Sequence, residues 1–178
     1  MHDEILGFWF EEIAPKQWWA ADPEFDKEIE DRFHHLLRQA MQGELSCWRK
    51  ETKGRLAEII VLDQFSRNIY RNTPAAFAQD SMALVLAQEA VSAEAHALLS
   101  PIECGFLLLP YMHSESKLIH VEAEILYREH ALPDNYEFEL KHKVIIDRFG
   151  RYPHRNQILG RISSAEEIEF LKQPGSGF

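Results

Sequence analysis

A chain of 178 residues fits a single domain, and with 46% hydrophobic and 11% aromatic residues it can bury a sizeable core. Charged residues make up 27%, close to the globular average, which argues against disorder away from the ends. The formal net charge of −10 argues against nucleic acid and anionic membranes as partners, since both are polyanions.

Cys47 and Cys104 are the only cysteines, too few to staple the chain and not spaced as a zinc or redox pair. The start Met1-His2-Asp3-Glu4 is acidic where a signal peptide needs basic residues. The apolar runs Ile59–Leu62 and Phe106–Leu109 fall far short of a membrane span. A cytoplasmic location is expected.

Helix punctuation recurs along the chain. Asp3 is placed to cap a short first helix carrying Ile5, Leu6, Phe8, Trp9 and Phe10. Pro15, Trp18 and Trp19 come next, in a turn folded back on the core. Asp22-Pro23 reads as N-cap and N1 proline. From there Phe25, Ile29, Phe33, Leu36, Leu37, Ala40 and Met41 recur at helical spacing until Gly43. A third helix is predicted from about Thr52 to near Arg67. Thr73-Pro74 starts another, and Asp80 caps a stretch with Met82, Val85, Leu86 and Ala90. Ser100-Pro101 repeats the cap signature, with Pro110 ending that helix. Ser116 opens the next, with Leu118, Val121, Ile125 and Leu126. Residues Asn135 to Phe149 are helical and stop at Gly150, and Ser163 with Glu166 forms a capping box for a last helix. Strand alternation and hairpin turns are absent. The expectation is an all-α domain over 1–172 of stacked antiparallel helical hairpins, with a flexible tail over 173–178.

Three places put polar residues where they stand out. In the third helix Asp63 and Arg67, four residues apart, fall on the Leu56–Ile60 face of a helix apolar nearly all round, with Gln64 beside them. Buried charges persist only when paired. They form either an ion pair that locks packing or, with Asn68 and Arg71, the wall of a polar cleft. Next, Arg148, Arg151, His154, Arg155 and Asn156 crowd a helix end and a proline-constrained loop. Arginine forks suit carboxylates and phosphates, but they equally satisfy helix-end carbonyls and neighbouring acids. Finally, His113-Ser114-Glu115 lies at a break between helices, suited either to acid–base chemistry or to capping the next helix. His113, His120 and Glu124 have spacings that helices produce by chance, and no metal is expected. His142, among Phe138, Ile145, Ile146 and Phe149, reads as a hydrogen-bonded core residue. Nucleotide fingerprints are missing, so no cofactor is expected.

Several segments together resemble one family: Ile5-Leu6-Gly7-Phe8-Trp9-Phe10, Trp18-Trp19 with Phe25-Asp26, Leu62-Asp63-Gln64-Phe65-Ser66-Arg67-Asn68-Ile69-Tyr70-Arg71, Met112-His113-Ser114-Glu115 and Phe149-Gly150-Arg151-Tyr152-Pro153-His154-Arg155-Asn156. These resemble the bacterial domain-of-unknown-function 924 family over nearly the whole chain. The resemblance implies a tetratricopeptide-like α-α superhelix and no established activity. The chain departs from the family at Ser66, where proline is usual, at Asn72, where glycine is, and at Tyr152, where phenylalanine is common.

Two functions stay open. In one, the three polar segments converge on a cleft that binds, and acts on, a small anionic molecule, with His113 or His154 as the acid–base group. In the other, a non-catalytic helical scaffold binds a peptide or partner protein. An enclosed polar pocket would favour the first, polar residues spread over an open concave face the second.

Overall fold

In the computed structural model, which describes residues 1–177, about three quarters of the chain is helical, and the described residues contain no strand. In chain order the helices are α1 (His2–Gly7), α2 (Pro23–Met41), α3 (Thr52–Ile60), α4 (Ser66–Ile69), α5 (Asp80–Ser92), α6 (Pro101–Met112), α7 (Lys117–His130), α8 (Pro133–Phe149) and α9 (Ala165–Leu171). Wider π turns extend α1 over Phe8–Glu12 and link α3 to α4 over Val61–Phe65. Short 3₁₀ segments fill several connections, among them Ser46–Lys50, Pro74–Phe77 and Pro153–Arg155.

Local chemistry explains the ends that the sequence marked. Asp22 accepts hydrogen bonds from the Glu24 and Phe25 backbone N–H groups at 3.0 and 3.4 Å, with Pro23 at the first helical position. Ser100 and Glu103 cap each other reciprocally at the start of α6. Gly150 closes α8 at φ 68°, a left-handed conformation that suits a residue without Cβ. At Gly54 the reason is space: a Cβ there would come within 2.1 Å of the Trp48 carbonyl oxygen. That close approach seats α3 against the Ser46–Lys50 turn, where Arg49 forks the buried Glu58 at 2.8 and 2.7 Å.

Aromatic rings tie the first helices to α6. Phe8 meets Phe33 at 4.9 Å and Phe33 stacks on Phe65 at 5.3 Å, while Trp9 lies 5.6 Å from Phe65 and 5.7 Å from Phe106. Each such pair adds roughly 0.5–1.5 kcal/mol beyond its burial. Consecutive helices α5–α6, α6–α7 and α7–α8 pack on each other. A smaller cluster of Ile145, Ile146 and Tyr152, with Phe149 and Phe170, joins the end of α8 to α9.

Several expectations need correction. Asp3 caps nothing, because α1 already begins at His2. Pro110 does not end α6, which runs two residues beyond it to Met112. The last capping box is Ser164 with Glu167, one residue later than expected. Trp18 donates to the Trp9 carbonyl at 2.8 Å and packs inward, but Trp19 is largely exposed. On α5 the buried face is Ala83, Ala87 and Ala90, while Met82 and Val85 face solvent. On α7 Leu118 is 82% and Val121 55% exposed. That helix turns inward instead on His120, Ala123, Leu126 and Tyr127, because His120 meets the equally buried Glu139 of α8 at 2.6 Å. Of the expected tail, Phe178 lies outside the described residues.

Candidate functional site

The third helix is apolar all round and buried, as its sequence indicates, but a π turn interrupts it at Val61–Phe65. One extra residue in the turn rotates the helical residues beyond it, a distortion that recurs at functional sites. Asp63 sits in this turn, 1% exposed. Its Oδ2 accepts from the Gln64 side-chain amide at 2.6 Å, its Oδ1 lies 3.1 Å from Arg67 Nη1, and the same Oδ1 lies 2.8 Å from His113 Nδ1. The expected Asp63–Arg67 pair is therefore present, with a third partner from the end of α6.

Arg67 continues the chain of charges. It reaches Asp80, the first residue of α5, with Nη1 3.0 Å from Oδ1 and Nη2 donating to Oδ2 at 3.1 Å. Arg155, from the Pro153–Arg155 turn, donates through Nη1 to the same Asp80 Oδ2 at 3.1 Å. The Arg155 guanidinium carbon lies over the Phe77 and Tyr152 rings, 4.7 and 4.6 Å from their centroids.

Burial alone would raise the Asp63 carboxyl, but Arg67, His113 and the Gln64 amide hold it well below its ordinary value. Burial and the Arg67 charge push His113 down, against the pull of Asp63. An ionised Asp63 beside a neutral imidazole fixes the tautomer: Nδ1–H donates to Asp63 and Nε2 keeps its lone pair. Nε2 has no hydrogen-bond partner among the described residues. Burial and Arg67 lower Arg155, and Asp80 restores only part of the loss. These groups border a cleft of about 300 Å³ lined by His113, Ser114, Asp80, Ser81 and Arg155, with Pro74, Phe77, Leu84, Pro110 and Leu159 as its apolar wall.

The loop that carries Arg155 is clamped by Glu115. Its carboxylate accepts from the Tyr152 backbone N–H at 2.7 Å and from both Nη groups of Arg161, at 2.6 and 2.9 Å. Tyr152 donates its hydroxyl proton to the Met112 carbonyl at 2.5 Å, which is the use of the hydroxyl this chain adds. His120 holds the Ser114 carbonyl through Nε2 at 2.9 Å. The His113–Glu115 break is thus fixed from both sides.

The structure brings together Asp63, Gln64, Arg67, His113, Ser114, Glu115 and Arg155, and it places the remaining candidates elsewhere. Asn68 and Arg71 both bind Asp26 of α2, Arg71 side-on at 2.5 and 2.7 Å. Arg148 pairs with Glu166, and Arg151 forks Glu167 at 2.6 and 2.8 Å, so both arginines serve α9. Asn156 ties Arg161 to Ser163. His154 packs on the Tyr152 ring at 5.6 Å and does not line the cleft. Asp80 and Arg161 are the residues that sequence reasoning missed: Asp80 reads as a helix cap, and Arg161 comes after an isolated glycine. Among the described residues no three His, Cys, Asp or Glu side chains converge as a metal ion requires, and no helix is long and apolar enough to cross a membrane.

Comparison with known proteins places this arrangement in a lineage. The family described as "Bacterial protein of unknown function (DUF924)" matches residues 5–175. The chain belongs to that family. A solved structure of a protein of unknown function, ATU0120 from Agrobacterium tumefaciens, is 32% identical. It superposes with a TM-score of 0.91 over 96% of both chains. No curated protein matches the chain. The DUF924 fold is therefore shared nearly end to end, and the site is the part of it from which function must be argued.

Proposed function

We propose that the cleft binds a small anionic molecule and that His113, oriented by Asp63, acts on it as a general base. One observation carries this reading. An Asp–His dyad with an unpartnered Nε2 borders the same cleft as the buried guanidinium of Arg155, whose Nε–H finds no acceptor among the described residues. Leaving a buried donor unpaired costs ~1–3 kcal/mol, so the guanidinium is left short of partners. The neutral imidazole is in the protonation state a base needs near pH 7. It would accept a proton from a bound hydroxyl, amide or water while Arg155 holds the anion.

A scaffold for a peptide or partner protein would spread its polar groups over an open face. Here Asp80, His113, Ser114, Glu115 and Arg155 meet around one cleft, which supports the first reading. Two further parts belong to the proposal. A cytoplasmic setting agrees with the unbridged Cys47 and Cys104. A tetratricopeptide-like superhelical path agrees with the packing of consecutive helices.

The test is a thermal-shift screen of small carboxylates and phosphates. Binding to the native state alone stabilises by ~2.7 kcal/mol at a hundredfold excess over Kd, roughly 5–10 °C for a domain of this size. His113→Asn should keep the shift and lose any turnover, whereas Arg155→Gln should lose the shift. Equal shifts in wild type and Arg155→Gln would put the anion elsewhere, and no shift with any anion would favour the scaffold.

A further inference from the structure

The protein shows what a satisfied arginine looks like. Arg49 on Glu58, Arg71 on Asp26 and Arg151 on Glu167 each use Nε and Nη2 side-on against one carboxylate, at 2.5 to 2.8 Å. Arg155 is different. Its side chain is 7% exposed, yet its Nε–H has no acceptor among the described residues. Its contact with Asp80 is a single hydrogen bond from Nη1 at 3.1 Å.

Asp80 is matched no better. Its Oδ2 is shared between Arg67 and Arg155, each at 3.1 Å, longer than the ~2.7–2.9 Å of a good charge-assisted bond. Its Oδ1 lies 3.0 Å from Arg67 Nη1 but receives no hydrogen bond of acceptable geometry. One carboxylate is stretched over two guanidiniums, and of the two only Arg67 has a second carboxylate, Asp63, beside it. Asp80 is also partly open to solvent. It is 19% exposed and stands in the first turn of the thirteen-residue α5, which has no side-chain cap and whose dipole favours a negative charge there.

From this geometry we infer that the anion is a carboxylate with a small apolar body, received at Nη1 of Arg155 in exchange for Asp80. The inference rests on the anion-binding reading above and names its ligand class. The guanidinium carbon lies over the Phe77 and Tyr152 rings, its Nη1 edge is the one that Asp80 meets, and a planar carboxylate fits an arginine edge in plane. Burial and Arg67 depress Arg155 beyond what Asp80 and Glu115 restore, a shortage that a single negative charge answers. Pro74, Phe77, Leu84, Pro110 and Leu159 give the rest of the ligand an apolar wall. The volume of about 300 Å³ is at the lower end of the ~300–1,000 Å³ of ligand pockets, which keeps the ligand small.

Isothermal titration calorimetry of wild type and Asp80→Asn with benzoate, benzamide and inorganic phosphate tests the exchange. Benzoate should bind wild type and bind Asp80→Asn at least about tenfold more tightly, since the variant removes the competing charge and keeps the shape. Benzamide should bind neither protein, and phosphate should bind more weakly than benzoate. In wild type, the arginine Nε–H resonance assigned by its loss in Arg155→Lys should move on adding benzoate, a readout that holds even if Asp80→Asn fails to fold. Equal benzoate affinity in the two proteins, or an unmoved Arg155 Nε–H, overturns the exchange. Phosphate binding without benzoate binding overturns the carboxylate class and leaves the anion reading standing. No anion binding to either protein overturns both.

Discussion

Asp63 and His113 stand 50 residues apart in the chain, and Asp63 Oδ1 lies 2.8 Å from His113 Nδ1. The contact joins the π turn after α3 to the last turn of α6, and it sets the proton inventory of the cleft. Asp63 also faces Arg67 at 3.1 Å, so one carboxylate neutralises a guanidinium and orients an imidazole. Both tasks depend on its staying ionised out of water, which the Gln64 amide and the Arg67 charge secure.

Asp63→Ala should therefore be severe. Removing one member of a buried pair leaves the other uncompensated and costs about 3–5 kcal/mol, and Arg67 would keep the backbone carbonyl at 63 but only Asp80 as a counter-charge. Urea denaturation should show the midpoint falling accordingly. A change of a few tenths of a kcal/mol would mean that Arg67 is satisfied without Asp63, and the dyad would lose its structural basis.

Stability should fall on acidification, starting near neutrality. Burial pushes His142 down to about 3 and His154 down to about 4, and His113 is also lowered. A histidine depressed in the folded state contributes its full share above the unfolded value near 6.5 and loses it as pH falls toward the folded value. Between pH 7 and 5 the carboxyls held low, Asp63 and Glu115, are ionised folded and unfolded alike, so the histidines dominate that window. Glu139, raised by burial, runs the other way and offsets part of the loss. The expected net loss is on the order of 3 kcal/mol, read as urea midpoints across pH 7 to 5. His142→Gln should flatten the slope, and a pH-independent midpoint would refute the account.

What was legible in the sequence was local. Asp22-Pro23, Ser100-Pro101 and Gly150 act within a few residues, so helix ends could be read there. The burial of Asp63 was implied by the apolar residues around it. The rest depended on distant partners: Asp80 and Arg155 meet across 75 positions, and Glu115 and Arg161 across 46. Arg148 and Arg151 share the loop's basic character with Arg155, but the acids that take them up begin α9, out of reach of any local pattern. On α7 the apolar count pointed to Leu118 and Val121, whereas the His120–Glu139 pair decided which face turned in.

Glu115→Gln should loosen the loop without dismantling the core. The carboxylate takes one backbone and two guanidinium hydrogen bonds, and Arg161 holds it below its ordinary value against burial. Both partners are only half-buried, so the expected loss is about 1–3 kcal/mol. Amide hydrogen exchange should speed up at residues 152–156 and stay unchanged in α2. Unchanged exchange in the loop would show that Tyr152 and its hydroxyl bond hold it alone.

The dyad itself can be read without knowing the ligand. Nitrogen NMR of the imidazoles should show His113 protonated at Nδ1 and bare at Nε2 at pH 7, because Asp63 Oδ1 can only accept while it is ionised. The ring should titrate below the ordinary histidine value, since burial and Arg67 oppose its protonation more strongly than Asp63 favours it. Asp63→Asn separates the two effects. Arg67 Nη1, 3.1 Å from the same Oδ1, keeps the amide oxygen at that position, so Nδ1–H still donates but to a neutral acceptor. The wild-type and variant spectra should therefore show the same tautomer, with the variant ring titrating lower still, because the Asp63 charge that favours protonation is gone. If both show the proton on Nε2, the 2.8 Å contact does not orient a base, and His113 is a packing residue at the cleft wall.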